Sequence, residues 1–272
     1  MDIQALPQIS SKENHIIKDT RALRQKKERE GQNRFFVEGL RLCEEVAASD
    51  FRCAYALIAQ AFIDGERAEK LLCGLLSSAV PVYLVPENMI EYCADTQTPQ
   101  GIIMVMEKKP LPALSELADK NFVIMLDAVR DPGNLGTVLR TARAAGVDAV
   151  ILLAETVDQY NPKVLRASMG ASFASGMTII EVGDDEAVFQ MLASNNIKIY
   201  AAAAGGENIY GDIDLKAPLA WVLGSEVDGV KKYWHEKADK TVSLPMPGGG
   251  ESLNISAAAA AIAYETVRKK RF

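Results

Sequence analysis

The chain has 272 residues, 49% of them hydrophobic and 24% charged, with 30 Lys/Arg against 36 Asp/Glu and a net charge of −6. That length suits about two domains, the composition is ordinary for a water-soluble globular fold, and no apolar stretch approaches the ~20 residues a membrane helix needs. The acidic balance argues against a protein that grips nucleic acid over its whole surface, and Met1-Asp2-Ile3-Gln4 lacks the basic-then-apolar layout of a secretory signal, so a cytoplasmic setting is expected.

The charge is unevenly placed. Lys12, Lys18, Arg21, Arg24, Lys26, Lys27, Arg29 and Arg34 fall within residues 1–34 against five acids, and the chain closes on Arg268-Lys269-Lys270-Arg271. Such runs fit a solvated helix face or local phosphate contacts equally well. Downstream, short apolar runs alternate with helical spacing. Residues 35–37 lead to a helix through Leu40, Leu42, Val46 and Ala47, residues 53–59 to one through Ala68, Leu71, Leu72 and Leu75, and residues 82–85 to a short one near 89–94. Residues 102–106 close the set, which predicts a compact α/β domain over 1–107. Cys43, Cys53, Cys73 and Cys93 make no Cys-x-x-Cys, form no metal-like spacing with His15 or His235, and read as small buried apolar residues. Neither a disulfide nor a metal is expected. Lys108-Lys109-Pro110-Leu111-Pro112-Ala113 opens a linker over 108–117.

Residues 118–272 form the second predicted domain, again α/β. The apolar run 122–126 enters the loop Asp127-Ala128-Val129-Arg130-Asp131-Pro132-Gly133-Asn134 and then a helix with Leu135, Val138, Leu139, Ala142 and Ala145 on one face, Gly146 standing at its C-terminal end. Residues 149–153 supply another apolar run, so the unit reads strand, loop, helix, parallel strand. Further on, Val188, Met191 and Leu192 mark a helix over 185–195, and residues 198–203, 219–223 and 241–244 read as strands. A second loop follows as Leu223-Gly224-Ser225-Glu226-Val227-Asp228-Gly229. A third, Leu244-Pro245-Met246-Pro247-Gly248-Gly249-Gly250-Glu251-Ser252-Leu253-Asn254-Ile255-Ser256, runs into five alanines of good helix material. Glycines let a backbone approach a ligand closely, and Ser252, Asn254 and Ser256 offer polar groups where helix amides lack internal partners. In a parallel sheet, ligands sit beyond the carboxyl ends of the strands, where these loops fall. No Gly-x-x-x-x-Gly-Lys-Ser/Thr, Gly-x-Gly-x-x-Gly or Gly-x-Ser-x-Gly occurs, which argues against phosphate-loop enzymes, nucleotide-cofactor oxidoreductases and serine hydrolases.

Together, Asp131-Pro132-Gly133-Asn134-Leu135-Gly136-Thr137 with Arg140-Thr141-Ala142, then Gly224-Ser225-Glu226 with Gly229, then Pro245-Met246, Gly248 and Ser252-Leu253-Asn254-Ile255-Ser256 resemble the three motifs of the SpoU/TrmH family of RNA ribose 2′-O-methyltransferases, in the SPOUT superfamily. Motif one starts with Asp131 where many members have Asn, a departure that bears on fine specificity. The first half resembles the L30/L7Ae-like α/β/α substrate-binding module of many relatives, through Asn14-His15-Ile16-Ile17-Lys18, Leu23-Arg24-Gln25-Lys26-Lys27, Phe35-Phe36-Val37-Glu38-Gly39 and Thr98-Pro99-Gln100-Gly101. The resemblance implies a C-terminal parallel-sheet domain with a deep trefoil knot that cradles S-adenosylmethionine, a homodimer made through that domain, and RNA as substrate. Ribosomal RNA is favoured over tRNA, because the L30-like module recurs among rRNA-directed relatives.

The same resemblance assigns Asn134, Arg140, Glu226, Ser252 and Asn254 to the active site. The donor's adenine falls to Leu223, Gly224, Glu226, Leu244, Met246, Ser252, Leu253 and Asn254, whose loop backbone reads its edge while Met246 and Leu253 pack on the ring. A guanidinium holds its proton under ordinary conditions, so Arg140 is read as clamping the target phosphate and stabilising the developing alkoxide. Asn134 also suits the helix cap, and Ser252 and Asn254 suit caps too. Arg166 and Ser168, in a family-like segment over 161–170, and Lys26 and Lys27 are the RNA-binding candidates. A tRNA methyltransferase and a non-catalytic RNA-binding protein of the same fold stay open.

Overall fold

The computed structural model of the chain describes residues 5–271 apart from positions 64, 217, 226 and 251. Two compact units emerge, Met1–Lys109 with Tyr160–Phe173, and Pro110–Gln159 with Ala174–Phe272.

In the first unit, α1 (His15–Ala22) and α2 (Lys26–Gln32) lead into β1 (Arg34–Glu38), α3 (Leu40–Ala47), β2 (Cys53–Ala59), α4 (Glu66–Ser77), β3 (Val82–Val85), α5 (Glu87–Cys93) and β4 (Ile102–Glu107). The strands join in the order β1-β4-β2-β3, with β4 antiparallel to β1 and β2 and with β2 parallel to β3. Strand side chains alternate between faces, and both faces are apolar. Phe35, Val37, Ile58 and Met104 pack with Leu42, Val46, Leu71 and Leu72 of α3 and α4. Phe36, Leu57, Ile103 and Val105 pack with Ile17 of α1 and with Met89 and Ile90 of α5. This is the expected α/β/α sandwich. Cys43 and Cys93 are buried in it, but Cys53 is half-buried and Cys73 exposed, so not all four serve the core.

The first unit also recruits Tyr160–Phe173, which a single linear boundary would place in the second half. Tyr160 and Phe173 lie against Phe35, with ring centroids 4.7 and 5.9 Å away, and Leu165 is fully buried in the same cluster. The predicted linker is likewise part structure: Leu114–Leu117 forms a 3-10 turn whose Leu117 is fully buried in the second unit.

The second unit contains β5 (Phe122–Asp127), α6 (Pro132–Ala145) and β6 (Ala149–Leu152). The chain then passes through α7 (Pro162–Ser168), the helix lent to the first unit, before β7 (Thr178–Glu181), α8 (Asp185–Ser194), β8 (Lys198–Asn208), β9 (Leu219–Gly224), α9 (Lys232–Lys237), β10 (Lys240–Ser243) and α10 (Ile255–Arg271). The strands join as β10-β8-β9-β5-β6-β7, every pairing parallel. All six residues of β5 are buried, the continuous apolar pattern of a strand covered on both faces. Val123, Met125, Ala220 and Val222 face Val188 and Leu192 of α8 and Trp234 of α9. On the opposite face Trp221 donates its indole N–H to Thr266 Oγ1 of α10 at 3.0 Å, and α10 packs along α6. Among the described residues no helix is long and apolar enough to cross a membrane.

Within the first unit, Arg166 of α7 reaches Glu38 Oε1 at 2.6 Å and Asp95 Oδ2 at 2.7 Å, the Glu38 side chain being only 4% exposed. Burial raises the Glu38 carboxyl above its ordinary value, with Arg166 and backbone bonds opposing that rise. A carboxyl raised in the folded state favours folding when protonated, and that contribution fades as pH climbs through the raised value. Replacing Arg166 with Met strands a buried carboxylate, so Arg166→Met should lower stability by about 3 kcal/mol at neutral pH. The deficit should shrink on acidification, which denaturant melts at several pH values will read.

Candidate active site

Because every strand of the second sheet points the same way, the loops after β5, β9 and β10 emerge at one edge. The chain runs from β5 outward to β6 and β7, then returns on the other side of β5 with β8 and β9. The order therefore reverses between β5 and β9, where an open parallel sheet forms a ligand crevice.

Motif one begins at Asp131, and Asp131 is the cap of α6: its carboxylate accepts the Asn134 N–H at 2.8 Å, with Pro132 in the first helical turn. The expectation that Asn134 caps this helix is therefore corrected. Asp131 takes that task, since Asp precedes a Pro whose fixed φ suits the first turn, and the Asn134 side chain is left to face another loop. Asn254 Nδ2 donates to Asn134 Oδ1 at 3.0 Å, across 120 residues of sequence. Asn254 also caps α10, accepting the Ser256 N–H at 2.9 Å and the Ser256 hydroxyl at 2.6 Å on Oδ1. One side chain thus starts the last helix and ties it to the start of α6. Arg140 sits six residues beyond Asn134, about 9 Å along the helix axis, on an exposed position with no ion-pair partner among the described residues.

In the second loop Leu223 is buried at the end of β9 and Gly224 follows. A Cβ on Gly224 would fall 1.9 Å from the Gly229 carbonyl carbon, so no other residue fits. Ser225 and Gly229 exchange backbone hydrogen bonds of 3.1 Å each way, closing the loop on itself. Glu226, expected in both the catalytic and the cofactor sets, lies outside the described residues. In the third loop Leu244 and Met246 are half-buried, Ser252 is exposed and Leu253 is 45% exposed. Gly249 donates its N–H to the Met246 carbonyl at 3.0 Å, with a φ of +80° that suits glycine.

Sequence reading missed the tail of β8, which lies between β9 and β10. Its pairing with β10 jumps from Ala201↔Thr241 to Glu207↔Val242, so Ala202-Ala203-Ala204-Gly205-Gly206 bulges at the same edge. Gly206 is obligatory there, a Cβ falling 2.6 Å from Thr241 backbone atoms. The small-residue run was the available signal.

The remaining candidates belong to the first unit. Arg166 spends its guanidinium on Glu38 and Asp95. Ser168 is fully buried, donating to the Leu165 carbonyl at 2.9 Å and accepting from Ser172. Ser168 is thus turned into the packing of the unit, while the Arg166 side chain keeps 27% of its surface exposed beside those two carboxylates. Lys26 stands 3.7 Å from Glu30 and is 60% exposed, and Lys27 is exposed. They follow Gln25 in sequence, which with Lys18, Arg21, Arg24 and Tyr92 lines a surface recess of about 490 Å³, the Arg21 guanidinium lying 3.9 Å over the Tyr92 ring.

The SpoU rRNA Methylase family matches residues 121–264, more than half of the chain. The chain belongs to that family. Residues 14–104 match the MRM3-like substrate binding domain. Among relatives of this SpoU protein, the 23S rRNA (guanosine(2553)-2′-O)-methyltransferase RlmP of Bacillus subtilis is 34% identical over 95% of this chain and 98% of its own. The 23S rRNA (guanosine-2′-O-)-methyltransferase RlmB of Escherichia coli is 32% identical over 76% of this chain and 87% of its own. An rRNA methyltransferase from Sinorhizobium meliloti superposes with a TM-score of 0.85 at 28% identity, covering 97% of this chain and 98% of its own. Its AdoMet-bound form gives 0.84 with the same coverage and identity.

Breaking the Asn134–Asn254 bond should have a measurable cooperative cost. In a double-mutant cycle of Asn134→Ala and Asn254→Ala, we expect a coupling of about 0.5–1.5 kcal/mol in unfolding free energy. Asn254→Ala alone should cost about 1 kcal/mol more than Asn134→Ala, from loss of the α10 cap.

Proposed function

We propose that the chain transfers the methyl group of S-adenosylmethionine to the 2′-hydroxyl of a nucleotide in ribosomal RNA, a guanosine by analogy with its 23S rRNA-modifying relatives. One observation carries this reading above the others: the 3.0 Å bond between Asn134 and Asn254 joins the helix that holds Arg140 to the loop that follows β10, at the edge where parallel sheets hold ligands. The residues fit the donor. Gly224 and Gly206 let their loops close tightly on Gly229 and Thr241, and exposed Leu253 with half-buried Met246 offer apolar surface for a flat adenine. The donor supplies an electrophilic methyl on a sulfonium. The chain's own part is to hold ribose and donor in line.

Arg140 takes the phosphate of the target nucleotide in a bidentate grip and stabilises the alkoxide as the proton leaves. Asn134 orients the ribose, its amide held by Asn254. Leu223, Gly224 and Leu244 contribute backbone to the adenine edge, and Glu226 and Ser252 complete the site. On the first unit, Lys26 and Lys27 with the Lys18–Arg21–Arg24 recess form the basic face toward RNA. An acidic chain that concentrates cation there confines phosphate binding to one region. The protein acts as a homodimer through its second unit, whose C-terminal segment is knotted as in the family, and works in the cytoplasm where ribosomes assemble.

Arg140→Ala should leave calorimetric affinity for S-adenosylmethionine unchanged while lowering methyl transfer at least about 100-fold, and Arg140→Lys should recover little because a point charge cannot grip bidentately. Mapping 2′-O-methyl sites in cells lacking the gene should reveal one unmodified ribosomal RNA position. An unmodified tRNA position instead would move the target to tRNA, and no lost methyl group would leave a non-catalytic RNA-binding protein. Lys26→Glu with Lys27→Glu should raise KM for RNA at constant kcat and flatten its salt dependence, losing about one phosphate contact per lysine.

A further inference from the structure

Asp127 ends β5 with its side chain completely buried, and its register partner across the sheet is Gly224. Its carboxylate faces one residue from two sides: Oδ2 accepts the Lys231 backbone N–H at 2.8 Å, and Oδ1 lies 3.0 Å from the Lys231 ammonium. Lys231 is the last residue before α9, and its carbonyl accepts the Trp234 and His235 N–H groups at 3.0 and 3.2 Å. The pair therefore fixes the far end of the loop whose near end, Gly224, is already held beside Asp127 by the sheet. The Ser225–Gly229 bridge lies between the two.

The same carboxylate sits one residue before a strained turn. Ala128 has a φ of +55°, a left-handed conformation costing an alanine of order 1 kcal/mol and kept only where surroundings hold it. Beyond it, Val129 donates to Thr156 Oγ1 at 3.3 Å and accepts from the Val157 N–H at 2.9 Å. Anchoring before and after this turn sets the direction in which the chain leaves β5 toward Asp131 and α6. Burial alone would lower the Lys231 ammonium, yet its bond and attraction to Asp127, with Asp185 and Glu155 adding, hold it above the ordinary lysine value. The Asp185 carboxylate is 3.9 Å away.

We propose that Asp127 and Lys231 are positioning residues for methyl transfer: the buried carboxylate and the half-buried lysine it holds lock the Gly224–Gly229 loop and the start of motif one in one arrangement, so that the donor meets a preformed site. This rests on the reading of that loop as part of the donor site. Neither side chain touches a reacting atom, and both act through backbone they hold. If the loop is ordered only part of the time, apparent donor affinity falls by that fraction.

Lys231→Met removes the ammonium and leaves the backbone bond; Lys231→Arg restores a cation; Asp127→Asn with Lys231→Met removes both charges should the single variant fold poorly. Ile180→Val, in the same core but on β7, serves as the matched destabilised control. Amide exchange over residues 225–231, read without cofactor, should quicken about tenfold in Lys231→Met. Its Kd for S-adenosylmethionine should weaken about tenfold, with kcat at saturating donor nearly kept. Lys231→Arg should recover most of both, the double variant should resemble Lys231→Met, and the control should move neither. Unchanged exchange in Lys231→Met and in the double variant, or a donor Kd no weaker than the control's, would overturn the proposal. Should wild type fail to bind the donor, the methyltransfer reading falls and the positioning role for it falls too, while exchange still reports whether the pair locks the loop.

Discussion

The parallel direction of the second sheet is the constraint on which the site depends. Parallel neighbours must be joined by a crossover, so every strand's carboxyl end opens on the same side. Loops that are far apart in sequence then meet without any special contact to bring them together. What the side chains add is registration: Trp221 to Thr266 fixes α10 on the sheet, and Asn134 to Asn254 fixes α10 against α6 at the crevice. A sheet of mixed direction, such as that of the first unit, would scatter the same loops to opposite ends.

Legibility in the sequence followed how local the cause was. Cys53–Ala59 is a continuous apolar run, Phe122–Asp127 is one up to its last residue, and α6 carries both a periodic face and a terminal glycine, so these were readable. The α1 and α2 helices escaped because their polar and charged residues outnumber the few they bury, Ile17 and Thr20 in α1 and Arg29 in α2. The α7 helix announces itself through Asn161 and Pro162, but its allegiance to the first unit is written in Phe35, over a hundred residues earlier. Asp131-Pro132 is a stronger start signal than Asn134, and reading it so would have freed Asn134 for the contact it makes. The five-residue bulge in β8 has no periodic signature at all: it exists because Gly206 lets the backbone meet Thr241.

Charge is used sparingly and in two modes. On the first unit's surface, Lys18, Arg21 and Arg24 gather around Tyr92, where the contribution of an exposed charge to stability is small. Elsewhere, Arg166 with Glu38 and Asp95, and Lys231 with Asp127, each hold one buried carboxylate, Glu38 or Asp127, through a half-buried cation. Pairs with a buried carboxylate are costly to break though seldom efficient as sources of stability, and each ties its segment to a strand end, Glu38 of β1 or Asp127 of β5.

The loan of Tyr160–Phe173 to the first unit has a consequence for how the protein is made. The chain crosses between the units after residues 109, 159 and 173. As it leaves the ribosome, the amino-terminal sheet is therefore still missing Tyr160, Leu165 and Phe173 from its core when residue 109 emerges, and Phe35 lacks two of its three ring neighbours until β5, α6 and β6 have followed. The usual order, in which an early domain closes before a later one begins, is unavailable here. Completion of the two units is interleaved along the chain.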